Sequence, residues 1–210
     1  MKTLFSLIFI CCVLCLFNFY ILLKKKQKYS VFLALLFFIS SFRYILIYLF
    51  LNVKKLNYLF NLGKLTLMPV VLFTIGLYCI YILNRKSEIG LIDKLLMVVF
   101  LILEVYIIYI VPNNFIKYYG GFKFVCTNEY RDYLILLVAF FALLFIFIAS
   151  NYFRVINSVY FKVLNLLYII GYLIFLIQAI SIYVGMEFKT MTLIPEVILL
   201  IAAFLDISST

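Results

Sequence analysis

Long apolar runs alternate with short polar connections along the whole chain. Residues 3–23, 31–51, 65–84, 95–111, 134–153, 163–183 and 192–207 are each almost wholly apolar. A helix needs roughly 20 such residues to cross a bilayer, and the backbone can be satisfied there only by helices or closed barrels. The pattern predicts an all-α integral membrane protein: one seven-helix bundle spanning residues 1–210. Lys2 precedes the first run, which continues directly into Lys24, Lys25, Lys26 and Lys28 with no small-residue cleavage site. It therefore reads as an uncleaved first helix rather than a signal peptide. Cys11, Cys12 and Cys15 lie within it, where thiols act as small apolar fillers.

The polar residues inside the runs single out a candidate site. Glu104 sits near the middle of 95–111, and Arg43 lies within two residues of the midpoint of 31–51. A charge at that depth must face protein, water or an opposite charge, so Arg43 is the expected partner of Glu104. One reading makes them a relay or a ligand-switched pair; the other makes them a neutralised pair that fixes helix packing. Glu196 is expected to reach the headgroups and Asp206 to be interfacial, whereas Gln178 and Asn165 are expected to bond between helices. The ligand or ion-pair candidates are Arg43, Glu104, Glu196 and Gln178. Pro195, Leu199, Ala202 and Asp206 share a helical face, with Glu196 and Ala203 on the adjoining one, and the alanines mark the packing side. Thr66, Pro69, Phe73, Gly76 and Ile80 share a face of the third run, and Gly171 and Gln178 share one in the sixth.

Residues 113–133 form the longest polar connection, with turn glycines at Gly120 and Gly121 and both signs of charge. They are expected to fold as a small hairpin or cap. Basic residues at the two ends of the bundle nearly balance, but the lysine cluster after the first helix and an external aromatic loop favour N-terminus out and C-terminus in.

Composition narrows the chemistry. The 210 residues are 69% hydrophobic and only 12% charged, far from a soluble domain. Lys and Arg outnumber Asp and Glu 18 to 8, but they sit in short loops, which points to lipid headgroups rather than nucleic acid. There is no His, which removes imidazole acid–base catalysis and imidazole metal ligation. No paired carboxylates or phosphate-binding loop occur in a recognisable context, so no enzyme activity, cofactor or metal is expected. The abundance of Ile, Phe, Lys, Asn and Tyr suits an AT-rich, bacterial source, which places the chain in the cytoplasmic membrane.

Three segments carry a resemblance. Leu62-Gly63-Lys64-Leu65-Thr66-Leu67-Met68-Pro69 opens the third run beside a proline. Val111-Pro112-Asn113-Asn114-Phe115-Ile116-Lys117-Tyr118-Tyr119 leaves the fourth run through asparagines and aromatics, and Met191-Thr192-Leu193-Ile194-Pro195 opens the last. In this order they resemble the N-terminal seven-helix sensor region of some bacterial histidine kinases. That family continues into signalling domains that these 210 residues do not contain, so no phosphotransfer chemistry is carried over. The resemblance implies a sensor or receptor-like module acting through a protein partner or a second copy of itself. The alternative is a small transporter, channel or transport-complex subunit that uses the buried charges.

Overall fold

A computed structural model describes residues 2–25, 28–52, 102, 113–118, 121–126, 128–184 and 193–209. Five helices and one hairpin are described: α1 (Lys2–Lys24), α2 (Lys28–Asn52), β1 (Asn113–Tyr118), β2 (Gly121–Cys126), α3 (Asn128–Val155), α4 (Val159–Tyr183) and α5 (Ile194–Ser209). The helices coincide with the first, second, fifth, sixth and seventh apolar runs. The third and fourth runs, with Pro69 and Gly76, lie outside the described residues. Among the described residues two helices, not seven, are long and apolar enough to cross a membrane: Leu4–Lys24 and Val159–Ser181. Shorter apolar stretches, Leu33–Leu49 and Ala139–Val155, lie within α2 and α3.

The expected hairpin in residues 113–133 is present, so the fold is helical with a β appendage rather than purely α. Its antiparallel register runs from Asn113 opposite Cys126 to Tyr118 opposite Gly121, and β2 leads into α3. Helix α3 starts well before the apolar run at 134. Asn128 and Glu129 suit a helix start, where free N–H groups and the dipole favour oxygen acceptors and negative charge. A hydropathy pattern marks only the apolar part of such a helix.

Contacts across each interface fix the direction of every helix. Phe5 meets Tyr48 and Phe19 meets Phe38, so α1 and α2 are antiparallel. Phe145 meets Tyr172 and Lys162 lies over Phe153, so α3 and α4 are antiparallel. Tyr168 bonds Asp206 while Gly171 abuts Leu199, so α4 and α5 are antiparallel as well. By contrast α1 and α5 run parallel: Asn18 bonds Leu200, and seven residues further along each helix Lys25 bonds Ile207. Helix α5 thus packs between two helical hairpins, touching α1 on one side and α4 on the other. The bundle has a first end, holding the starts of α1 and α3 and the close of α2 and α4, and a second end holding the opposite termini.

The side of α5 marked by its alanines is the packed one, and Glu196 and Asp206 are buried with it against expectation. Pro195, Glu196, Leu199, Leu200, Ala202, Ala203, Asp206 and Ile207 are all buried. The core joins them to Leu4, Ile8, Cys11 and Cys15 of α1, Phe37 and Tyr44 of α2, Ala142, Phe145 and Ala149 of α3, and Tyr168 and Tyr172 of α4. Small residues let these helices approach closely. A Cβ at Gly171 would stand 2.7 Å from the Leu199 side chain, so any larger residue forces that leucine to shift.

Candidate functional site

Arg43 and Glu196 meet in the middle of the bundle. Arg43 Nη2 donates to Glu196 Oε1 at 2.7 Å and Nη1 donates to Oε2 at 3.0 Å, a bidentate fork. The Tyr44 hydroxyl donates to the same Oε2 at 2.7 Å, and its ring lies beneath the guanidinium, 5.4 Å from centroid to Cζ. Arg43 is 8% exposed, Glu196 3%, and Tyr44 fully buried. Cys11 of α1 is buried in the same core as Tyr44. Cys11, Cys12 and Cys15 are free thiols, with Cys11 and Cys15 buried as fillers against α2, as expected.

The depth of this pair overturns two expectations. The register that sets Asn18 opposite Leu200 places Glu196 at the level of Leu14, midway along α1. Glu196 therefore lies at the middle of the bundle, not towards an end as its expected reach to the headgroups requires. It lies in the first turn of its helix, but α5 begins roughly 10 Å below the close of α2, at 1.5 Å per residue. Distance from the start of an apolar run gives depth only when helices begin level, and α5 does not. For the same reason α5, whose 16 residues equal the length of the expected run 192–207, occupies the second half of the bundle rather than its full depth. Arg43 is as deep as expected, with Glu196 as a partner that sequence reasoning had not assigned to it. Glu104 lies outside the described residues, and the expected Arg43–Glu104 pairing with it.

Gln178 is buried in α4 at 8% exposure, on the same inward face as Gly171. Asn165 is buried, and its Oδ1 has no hydrogen-bond partner among the described residues. An interhelical bond is made by Asn18, whose Nδ2 donates to the Leu200 carbonyl at 3.3 Å. The signal for it was an amide inside an otherwise apolar run.

Asp206 is not interfacial in the expected sense, because it turns into the bundle and is 3% exposed. Tyr168 donates to its Oδ2 at a long 3.5 Å, and Oδ1 is unpartnered among the described residues. Lys25 closes this end by donating to the Ile207 carbonyl, an orphan acceptor in the last turn of α5. Burial pulls the Lys25 ammonium below the ordinary lysine range, and the nearby Asp206 opposes that pull.

No family model, curated protein or solved structure matches this chain. The functional reading therefore rests on the geometry and on the three resembling segments. No group of three or more metal-ligating side chains occurs among the described residues. What the site offers chemically is a closed ionic clamp. Both carboxylate oxygens and both terminal guanidinium nitrogens are engaged, and the clamp ties α2 to α5.

Proposed function

We propose that this chain is a seven-span membrane protein of receptor-like, sensory type, with its N-terminus outside and its C-terminus inside a bacterial cytoplasmic membrane. Its Arg43–Glu196 clamp is the element that a ligand or partner biases. Large apolar side chains cover the outside of the bundle, among them Phe9, Phe17, Phe140, Phe147 and Ile177, all at least half exposed. Soluble monomers do not carry apolar surface on this scale, but a lipid-facing bundle does. Helix direction supports the span count. Because α1 and α5 run parallel, the chain crosses an odd number of times, and α2 closes at the end where α3 begins. Two crossings by the runs 65–84 and 95–111 satisfy that requirement.

The single observation that carries the sensory reading is the desolvated fork between α2 and α5. Such a pair is bistable. It is stable when both partners meet and strongly unfavourable when either is left alone, so a competitor for one partner releases α5. The three segments resembling histidine-kinase sensor regions point the same way. No catalytic group belongs to this reading.

A second reading, a transporter or channel, is favoured by one observation: α5 begins at mid-depth with a charge in its first turn, as discontinuous helices of transporters do. Reconstitution into vesicles separates the two. The sensory reading predicts proton, sodium and potassium flux at the empty-vesicle level for the parent and for Glu196→Gln. It also predicts faster amide exchange in α5 of Glu196→Gln. Flux in the parent that Glu196→Gln abolishes would replace the sensory reading with the transport one.

A further inference from the structure

Two separate turns bring cations to the second end of the bundle. Lys24 and Lys25 close α1, Lys28 opens α2, Arg154 closes α3, and Lys162 lies in the first turn of α4. The fold sets the two turns on either side of the last turn of α5. Lys25 donates to the Ile207 carbonyl and the Tyr160 hydroxyl to the Leu205 carbonyl at 2.8 Å, so both turns are pinned to the last turn of α5. Among the described residues the acid at this end is Asp206, which is buried and faces Tyr168 and Lys25 rather than the surface. Among the described residues no ion pair engages Lys24, Arg154 or Lys162.

The same cations sit on apolar ground. The Lys24 ammonium lies 4.4 Å from the centre of the exposed Tyr20 ring, and that of Lys162 lies 5.9 Å from the Phe153 ring. Leu23, Val155 and Val159 beside them are about half to three-quarters exposed. Charged heads above exposed rings and aliphatics match the boundary between acyl chains and headgroups, where long cationic side chains snorkel.

From this we infer that Lys24, Arg154 and Lys162, arranged around the close of α5, form a binding site for the phosphate headgroup of an anionic phospholipid. The occupant is a lipid rather than a soluble anion, because the cations rim an apolar surface that acyl chains cover. A lipid bound there bridges the α1–α2 and α3–α4 turns and holds the end of α5 between them. The inference rests on the membrane reading above. Each surface cation contributes about fivefold to binding of an anionic membrane, so three together give roughly a hundredfold, reduced by salt.

The experiment uses the full chain in detergent, titrated with phosphatidylglycerol or phosphatidylcholine, with bound lipids counted by native mass spectrometry and Tm followed in parallel. The expected result is at least tenfold tighter retention of phosphatidylglycerol, with a matching rise in Tm that shrinks as salt increases. In the K24Q/R154Q/K162Q variant the preference falls to within about twofold, whereas K2Q/R131Q, at the opposite end, keeps it. Circular dichroism and Tm in phosphatidylcholine check that the triple variant is folded; if it is not, the single variants must each lower the preference. Equal retention of both lipids by the parent, or equal loss in K2Q/R131Q, overturns the inference. So does an equal rise in Tm with inorganic phosphate alone. A chain that fails to enter phosphatidylcholine vesicles and is extracted by alkaline carbonate instead contradicts the membrane reading itself.

Discussion

A guanidinium presents its donors in a planar fork that matches a carboxylate, and at the centre of this bundle that match is complete. Arg43 and Glu196 satisfy each other, and Tyr44 supplies a further donor to Oε2. Removing either partner strands a buried charge. Arg43→Ala and Glu196→Ala are each expected to destabilise the protein by about 3–5 kcal/mol in a denaturant titration of the detergent-solubilised chain. The double variant is expected to lose less than the sum of the two, because no charge is then stranded. Additive losses would show that the residues are not coupled. Tyr44→Phe removes one bond to a charged acceptor, and a loss of about 1.5–3 kcal/mol is expected in the same titration. Tyr168→Phe, whose bond to Asp206 is long at 3.5 Å, is expected to change stability by less than about 1 kcal/mol. Arg43 was legible in the sequence as a buried charge, since any Arg at that depth in an apolar run must be matched. Its pairing with Glu196 was not, because the two are 153 residues apart and only packing decides which helices meet.

Amphipathic reading succeeded where one face of a helix is packed and small residues mark it. Ala202 and Ala203 were legible as the packing side of α5 from size and spacing, and they are buried with Pro195 and Leu199; that Glu196 and Asp206 turn inward with them was not legible. Depth was less legible. Helix α5 begins midway along α1, an offset that belongs to the contact between them and has no local sequence signal. The close crossing of α4 over α5 is a sharper element-scale test. Gly171→Ala places a Cβ 2.7 Å from Leu199, and about 1–3 kcal/mol of destabilisation is expected from overpacking. Leu199→Ala in the same chain makes room and is expected to recover part of that loss, as measured by thermal unfolding. If Gly171→Ala alone is as stable as the parent, the helices are further apart than this packing requires.

Helix direction is the property that joins the elements into one molecule. Parallel first and last helices, with α2 and α4 antiparallel to them, make the first end the origin of α1 and α3 and the second end the close of α5. Two consequences share that frame: α1 starts and α5 closes at opposite ends of the bundle, and the hairpin lies at the end where α1 starts. Hydropathy made the apolar runs legible but could not pair them, and the basic residues at the two ends were too evenly divided to settle orientation by charge. Long-range bonds such as Asn18 to Leu200 and Lys25 to Ile207 carry the parity instead. The most direct measurement is labelling of single cysteines by an impermeant maleimide in intact cells and in inverted vesicles, in a chain whose native cysteines are replaced by serine or alanine. Cysteines are placed at Lys2, at Lys117 in the hairpin and at Ser209. Parallel α1 and α5 predict that the first two label from one side and Ser209→Cys from the other, and the proposed orientation makes the first side the outside of intact cells. Labelling of Lys2→Cys and Ser209→Cys from the same side would contradict it.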